Sequence, residues 1–121
     1  MNSFDEAFDF VVVGSGGGSM CAALVARAAS KSAVILEKTN LIGGTTARSG
    51  GVMWIPGNPF MAEAGVPDSL EAATTYLDTV VGDHNDTPGA SKARRRAFLE
   101  EGPRMLNFLI GQGLKFSRIT S

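Results

Sequence analysis

Two glycine clusters and one glutamate carry the chemical signal of this chain. Gly14-Ser15-Gly16-Gly17-Gly18-Ser19 follows a short apolar run and precedes an Ala/Leu-rich one. Backbone without side chains at such a place lets a phosphate reach main-chain N–H groups, and the start of a helix adds partial positive charge. In this pattern Gly14 makes the tight turn and Gly16 permits the close approach, with Gly17 and Gly18 keeping the turn bare. Position 19, where a third glycine would let helix and strand pack closely, holds Ser19 instead. Glu37 ends a second apolar run, 23 residues after Gly14. A carboxylate there accepts hydrogen bonds from both hydroxyls of an adenosine ribose and repels a 2′-phosphate, which disfavours NADP. The bland alternative is a generic glycine turn with a surface glutamate. The absence of Gly-Lys-Ser/Thr after the turn argues against a Walker-type phosphate loop.

The second cluster, Leu41-Ile42-Gly43-Gly44-Thr45-Thr46-Ala47-Arg48-Ser49-Gly50-Gly51, begins four residues after Glu37. A nicotinamide-binding unit has no obvious use for it so close to the ribose acid, whereas a longer cofactor does. Paired glycines let backbone approach a flat ring or a diphosphate, and Thr and Ser hydroxyls can donate to either. A merely flexible glycine loop is the competing reading.

These groups need elements to position them. Phe10-Val11-Val12-Val13 reads as a strand covered on both faces, Ser19 to Ala29 as a helix, and Ala33-Val34-Ile35-Leu36 as a second strand. Strand, turn, helix and strand make one βαβ unit of an α/β protein. A long glycine-rich loop follows to Pro59, its apolar residues arguing against disorder. Asp68 or Ser69 caps a helix running to about Val81, and residues 83–89 form a polar turn. Ser91 to Glu101 reads as a further helix, broken by Gly102-Pro103 before another that reaches Ile110. Leu114 to Ser121 reads as the start of a strand.

Composition limits the function classes. Among 121 residues, 11 Lys+Arg oppose 12 Asp+Glu, which removes bulk attraction to nucleic acid or to an anionic membrane. No apolar run reaches transmembrane length, and acids stand near the start where a signal peptide carries bases. The lone Cys21 excludes an internal disulfide and suits a reducing cytoplasm. Length suits one small domain rather than an enzyme with its own substrate pocket.

Four segments together resemble a known family: D-F-V-V-V-G-S-G-G-G-S, V-I-L-E-K, G-G-T-T-A-R-S-G-G and M-W-I-P-G-N-P. They are similar to the N-terminal part of fumarate reductase-type flavoproteins, and the Trp54 to Asn58 run points to the 3-ketosteroid dehydrogenase branch. The resemblance implies a Rossmann-like FAD-binding βαβ unit followed by helices, an incomplete domain with the flavin unit at 8–60 and a mostly helical extension at 61–121. It places Gly14, Gly16 and Ser19 at the diphosphate, and Glu37 and Lys38 beside the adenosine ribose. Gly43, Gly44, Thr45 and Thr46 would line the diphosphate and ribityl stretch, and Ser49, Gly50 and Gly51 would lie near the isoalloxazine. Residues 43–52 contain no histidine, so FAD is expected to be non-covalent. The implied reaction is dehydrogenation of a 3-ketosteroid-like small molecule. Its catalytic tyrosines lie outside this chain, the first expected shortly beyond Phe116-Ser117. The chain then reads as an N-terminal fragment, a truncated product or one piece of a split enzyme that needs its C-terminal part. A fumarate reductase-type fragment, a non-catalytic nucleotide-binding fragment and an NAD-binding unit are the alternatives.

Other conspicuous residues have simpler readings. Arg48 could neutralise charge near a flavin or make a structural ion pair. Cys21 reads as a small buried hydrophobe, His84 as a solvated turn residue, Tyr76 as packing rather than a catalytic acid, and Trp54 as either flavin neighbour or core. Lys92 with Arg94-Arg95-Arg96 reads as a solvated helix face.

Overall fold

The computed structural model describes residues 4–82 and 89–119, and His84 lies outside them. Its elements are β1 (Phe10–Val13), α1 (Gly17–Ala28), β2 (Ala33–Leu36), a 3₁₀ turn (Thr46–Arg48), α2 (Pro59–Glu63), α3 (Leu70–Val81) and α4 (Lys92–Gly111). The chain divides into two compact units, Met1–Met53 and Trp54–Ser121.

In the first unit β1 and β2 pair in parallel, with Val12 opposite Ile35 and Val13 opposite Leu36. Both strands pack against α1, as a βαβ crossover requires. The entry to the pair is clamped by Asp9, whose Oδ2 accepts from both the amide and the hydroxyl of Ser32 at 2.9 Å. The exit is set by Gly14, whose N–H donates to the Leu36 carbonyl at 2.7 Å while its φ of +87° turns the chain out of the strand. Helix α1 starts at Gly17, two residues before the sequence expectation. Gly16 takes the N-cap position and its carbonyl accepts from Met20 N, so Gly17 and Gly18 become the first turn rather than part of the loop. The helix ends with Ser30 at φ +59°, Ser30 N–H on Arg27 O and Lys31 N–H on Ala26 O, a Schellman closure.

The expectation of a doubly covered strand is not met by these residues. Only Val12 of β1 is buried, while Val11 and Val13 are 53% and 81% exposed. The run has the composition of an internal strand, but a two-stranded sheet with one helix can cover only one of its faces.

In the second unit Ser69 caps α3 by accepting from Ala72 N, and Ser91 caps α4 by accepting from Arg94 N. The sequence placed a break at Gly102-Pro103, yet α4 runs unbroken through both. Arg95, Leu99, Gly102, Leu106 and Leu109 share one buried face of this helix. Gly and Pro in a helix interior cost about 1 and 3 kcal/mol relative to Ala. Burying three leucines contributes roughly 1.5–3 kcal/mol each, so packing outweighs local propensity. Residues 114–119 form no strand.

Candidate functional site

The bend between β1 and α1 is built around Ser15, the most buried side chain described, at 2% exposure. Its hydroxyl donates to Glu37 Oε2 at 2.5 Å, its amide donates to the same oxygen at 3.1 Å, and its hydroxyl accepts from Gly43 N–H at 2.9 Å. Ser15 therefore ties the end of β2 and the start of the second glycine cluster to the first. Glu37 Oε1 accepts from Thr39 N–H at 3.1 Å. These bonds favour the ionised carboxylate: the Ser15 hydroxyl foremost, then the Thr39 amide, hold the Glu37 carboxyl below its usual range despite some desolvation. Glu37 faces the bend and is only half-buried.

The second cluster closes over the helix start. Gly17 N–H donates to Thr46 Oγ1 at 3.0 Å, and a Cβ at Gly44 would stand 3.6 Å from Gly16 Cα. Gly43 has φ +105°, and a Cβ there would meet the Ala47 methyl at 2.5 Å, so this position admits no side chain. By contrast, a Cβ at Gly14, Gly16 or Gly18 would meet nothing within 4 Å. The mouth of the bend is open. Gly18 and Ser19 carry first-turn N–H groups that an α-helix cannot satisfy by itself, Gly16 brings no side chain to cap them, and no acidic residue stands in that turn. The Thr46 hydroxyl accepts from Gly17 and so has a proton to give outward. Such a donor set suits an anion of diphosphate type.

Of the positions singled out in the sequence, Gly14, Gly16, Gly17, Gly18, Ser19, Glu37, Gly43, Gly44 and Thr46 are brought to this bend. Lys38 is exposed, and Thr45 is an exposed N-cap of the 3₁₀ turn. Ser49, Gly50 and Gly51 are exposed and held by local turns, Ser49 Oγ donating to Thr46 O at 2.8 Å and accepting from Gly51 N at 3.2 Å. Arg48 ends the 3₁₀ turn, exposed. Cys21 is half-buried rather than core. Sequence reasoning passed over Ser15 and Thr39. No sequence signal marks Ser15, since its role rests on bonds to Glu37 and Gly43, 22 and 28 residues away.

In the second unit, the Trp54–Asn58 run is an anchored turn. Ile55 and Pro56 are buried, Asn58 Nδ2 donates to Ile55 O at 2.7 Å, and Asn58 Oδ1 accepts from Phe60 N to cap α2. Trp54 rings with Tyr76 (5.4 Å) and Phe98 (6.0 Å), so packing is the observed role of both Trp54 and Tyr76. The solvated-face reading of the basic run fails at Arg95. It is 7% exposed, pairs with Asp78 at 3.1 Å and donates to the carbonyls of Gly82 and Ala90. Its spacing from Leu99 and Gly102 puts it on the buried face; Arg94 and Arg96 are exposed.

The profile of the FAD binding domain family matches residues 9–120. The chain belongs to the FAD binding domain family. It is 47% identical over 105 residues to a 3-oxosteroid 1-dehydrogenase of Mycobacterium tuberculosis, covering 87% of this chain and 18% of that enzyme. Among solved structures it resembles a 3-ketosteroid Δ1-dehydrogenase from Sterolibacterium denitrificans in complex with 1,4-androstadiene-3,17-dione. There the TM-score is 0.73 at 36% identity, over 86% of this chain and 17% of that one. It also resembles a 3-ketosteroid-Δ4-(5α)-dehydrogenase from Rhodococcus jostii RHA1 in complex with 4-androstene-3,17-dione. That match has a TM-score of 0.79 at 29% identity, over 95% of this chain and 23% of that one. This chain thus spans about a fifth of the length of these 3-oxosteroid 1-dehydrogenases. The open, donor-lined bend fits the family's cofactor, FAD. Among the described residues no helix is long and apolar enough to cross a membrane, and no group of His, Cys, Asp and Glu could hold a metal.

Proposed function

We propose that this chain binds the ADP half of FAD non-covalently at the Gly14–Ser19 bend, and that it does so as part of a dehydrogenase acting on a 3-ketosteroid-like substrate. The observation that carries the reading is the Ser15–Glu37–Gly43 network, which draws both glycine clusters and the acid to one bend. The N–H groups of Gly18 and Ser19 and the Thr46 hydroxyl hold the diphosphate, Gly14, Gly16 and Gly18 leave it room, Gly17 holds Thr46 in place through its N–H, and Glu37 with Lys38 flanks the adenosine ribose. Gly43, Gly44 and Thr45 continue along the ribityl stretch, and Ser49, Gly50 and Gly51 approach the ring. Within this scheme residues 8–60 are the cofactor unit and 61–121 a helical extension.

Bound FAD supplies a two-electron acceptor for removal of hydrogen from carbon next to a carbonyl. The chain's own residues bind and orient it. The proton-removing base and the carbonyl-polarising donor come from the remainder of the catalytic unit, in the same polypeptide or in a separate partner chain. That remainder also covers Val11 and Val13 of the two-stranded sheet, whose exposure would otherwise invite association. A cytoplasmic location is consistent with Cys21 being the one cysteine of the sequence.

Two measurements test the reading. FAD titrated into the chain, followed by quenching of flavin fluorescence, should saturate, with ADP competing because it carries the half that the bend holds and NAD competing no better than ADP; binding of NAD without FAD would replace it by a nicotinamide-binding reading. The complete catalytic unit should carry a flavin spectrum that a 3-ketosteroid bleaches under anaerobic conditions. If no steroid bleaches it and fumarate reoxidises the reduced protein, the reductase branch is the correct assignment.

A further inference from the structure

Which oxygens of Glu37 are free to hold a ribose can be counted from its neighbours. A carboxylate has about four lone-pair positions, two on each oxygen. On Oε2 both are taken, by the Ser15 amide at 3.1 Å and the Ser15 hydroxyl at 2.5 Å. The direction of the hydroxyl bond is fixed. Ser15 has one hydroxyl proton, and its oxygen already accepts from Gly43 N–H at 2.9 Å, so the proton points at Glu37. On Oε1 one position is taken by the Thr39 amide at 3.1 Å. The Thr39 hydroxyl is 3.3 Å from Oε1 but 2.9 Å from the Leu41 carbonyl, and it too has one proton, which the shorter contact claims. One acceptor position remains, on Oε1.

We propose that Ser15 is a positioning residue that commits Oε2 of Glu37 to the protein, so that the carboxylate presents Oε1 alone to the adenosine ribose and holds one of its two hydroxyls rather than both. The proposal rests on the FAD reading given above. It narrows that reading: ribose recognition here is a single directed bond, and its direction is set from the buried Ser15, which joins Gly43 to the same carboxylate. Movement of the second glycine cluster and aim of the ribose acid are thereby linked through one hydroxyl.

The test uses the full chain and three ligands: FAD and its analogues lacking the 2′- or the 3′-hydroxyl of the adenosine ribose. Affinities are read by flavin fluorescence. The unsubstituted chain should lose affinity on the order of tenfold or more for one analogue, as for a hydrogen bond to a charged group, and less than about threefold for the other. Large losses with both analogues overturn the single-position claim. Losses with neither overturn it too and remove Glu37 from ribose recognition, leaving FAD binding intact. Failure of FAD itself to bind overturns the functional reading, and the proposal with it. The role of Ser15 is tested by Ser15→Ala, Glu37→Gln and the double substitution. If Ser15 acts through Glu37, its effect on FAD affinity vanishes in the Gln background, and the acid limb of FAD binding moves to higher pH in Ser15→Ala alone. Additive losses with an unmoved acid limb refute the positioning role. If Ser15→Ala does not melt cooperatively, Ser15→Cys, which keeps the volume and weakens the donor, takes its place in the cycle and is read against the same two outcomes.

Discussion

Replacing Pro103 by Ala should stabilise this protein, although Pro103 sits in a well-packed helix. Proline at that point has no N–H, so the Leu99 carbonyl lacks its i+4 donor inside α4. Relative to Ala, an interior proline costs about 3 kcal/mol. Against this stands the ring's own packing. Pro103 is half-buried, and its Cγ would lie 3.8 Å from a Cβ built at Gly57. Losing two half-buried methylene groups costs about 0.8 kcal/mol, taking about 0.8 for each one fully buried. Part of the proline penalty is already relieved by local adjustment, so the net gain should be about 1–2 kcal/mol. For a chain of this size that is a rise in melting temperature of roughly 4–8 °C, readable by far-UV circular dichroism. The amide of residue 103 should become protected from hydrogen exchange, reporting the restored bond to Leu99. An unchanged or lowered melting temperature would refute the reasoning: it would mean that the ring beside Gly57 contributes more than the helix loses, and that the Gly102-Pro103 pair is a packing device rather than a tolerated defect.

Three further outcomes are expected. Ser30→Gly should raise stability by about 0.5–1 kcal/mol in urea denaturation, because Ser30 holds the left-handed closing position of α1 at φ +59°, where α2 and α4 have Gly65 and Gly113. Arg95→Ala should lower stability by about 2–4 kcal/mol, since it strips donors from the Gly82 and Ala90 carbonyls and a partner from Asp78, whereas Arg94→Ala should stay within about 0.5 kcal/mol. The carboxyls of Asp9 and Glu37 both titrate below their usual values in the folded chain, Asp9 chiefly through the Ser32 amide. Their contribution is therefore present above about pH 4–5, where the unfolded carboxyls are already ionised, and is lost as pH falls through the lower folded values. Melting temperature should be level from pH 7 to about 5 and fall below that, with a shallower fall in Asp9→Asn and Glu37→Gln.

The βαβ unit was legible because its signals are local. Four consecutive apolar residues make each strand, Gly14 breaks the first, and an Ala/Leu run can only be helical between them. The helix starting at Gly17 and the continuity of α4 were not legible, and for one reason: in both places poor helix formers are carried by bonds or contacts from distant residues. Gly17 is held by Thr46, and Gly102 lies against Ile55, where a Cβ would stand 3.3 Å from the Ile55 Cγ2. Arg95 was hidden by its two exposed neighbours, because a run of like charges is read as one face although successive helical residues point about 100° apart.

The candidate site divides along the same line. Glycines and the acid announce themselves by type, since glycine is the residue that most readily takes a positive φ, as at Gly14, Gly43 and Gly44, and a carboxylate suits the hydroxyls of a ribose. Ser15 does not, because a serine between glycines is unremarkable until its three bonds are seen. Yet those bonds explain why the two clusters lie where they do in sequence. Glu37 must directly follow β2 to reach the bend beside β1, and Gly43 must come within a few residues so that its amide can reach the same hydroxyl while its backbone passes the Ala47 methyl. The interval from Glu37 to Gly43 is thus a length constraint set by Ser15 and Thr39. The first glycine cluster fixes where the second can begin.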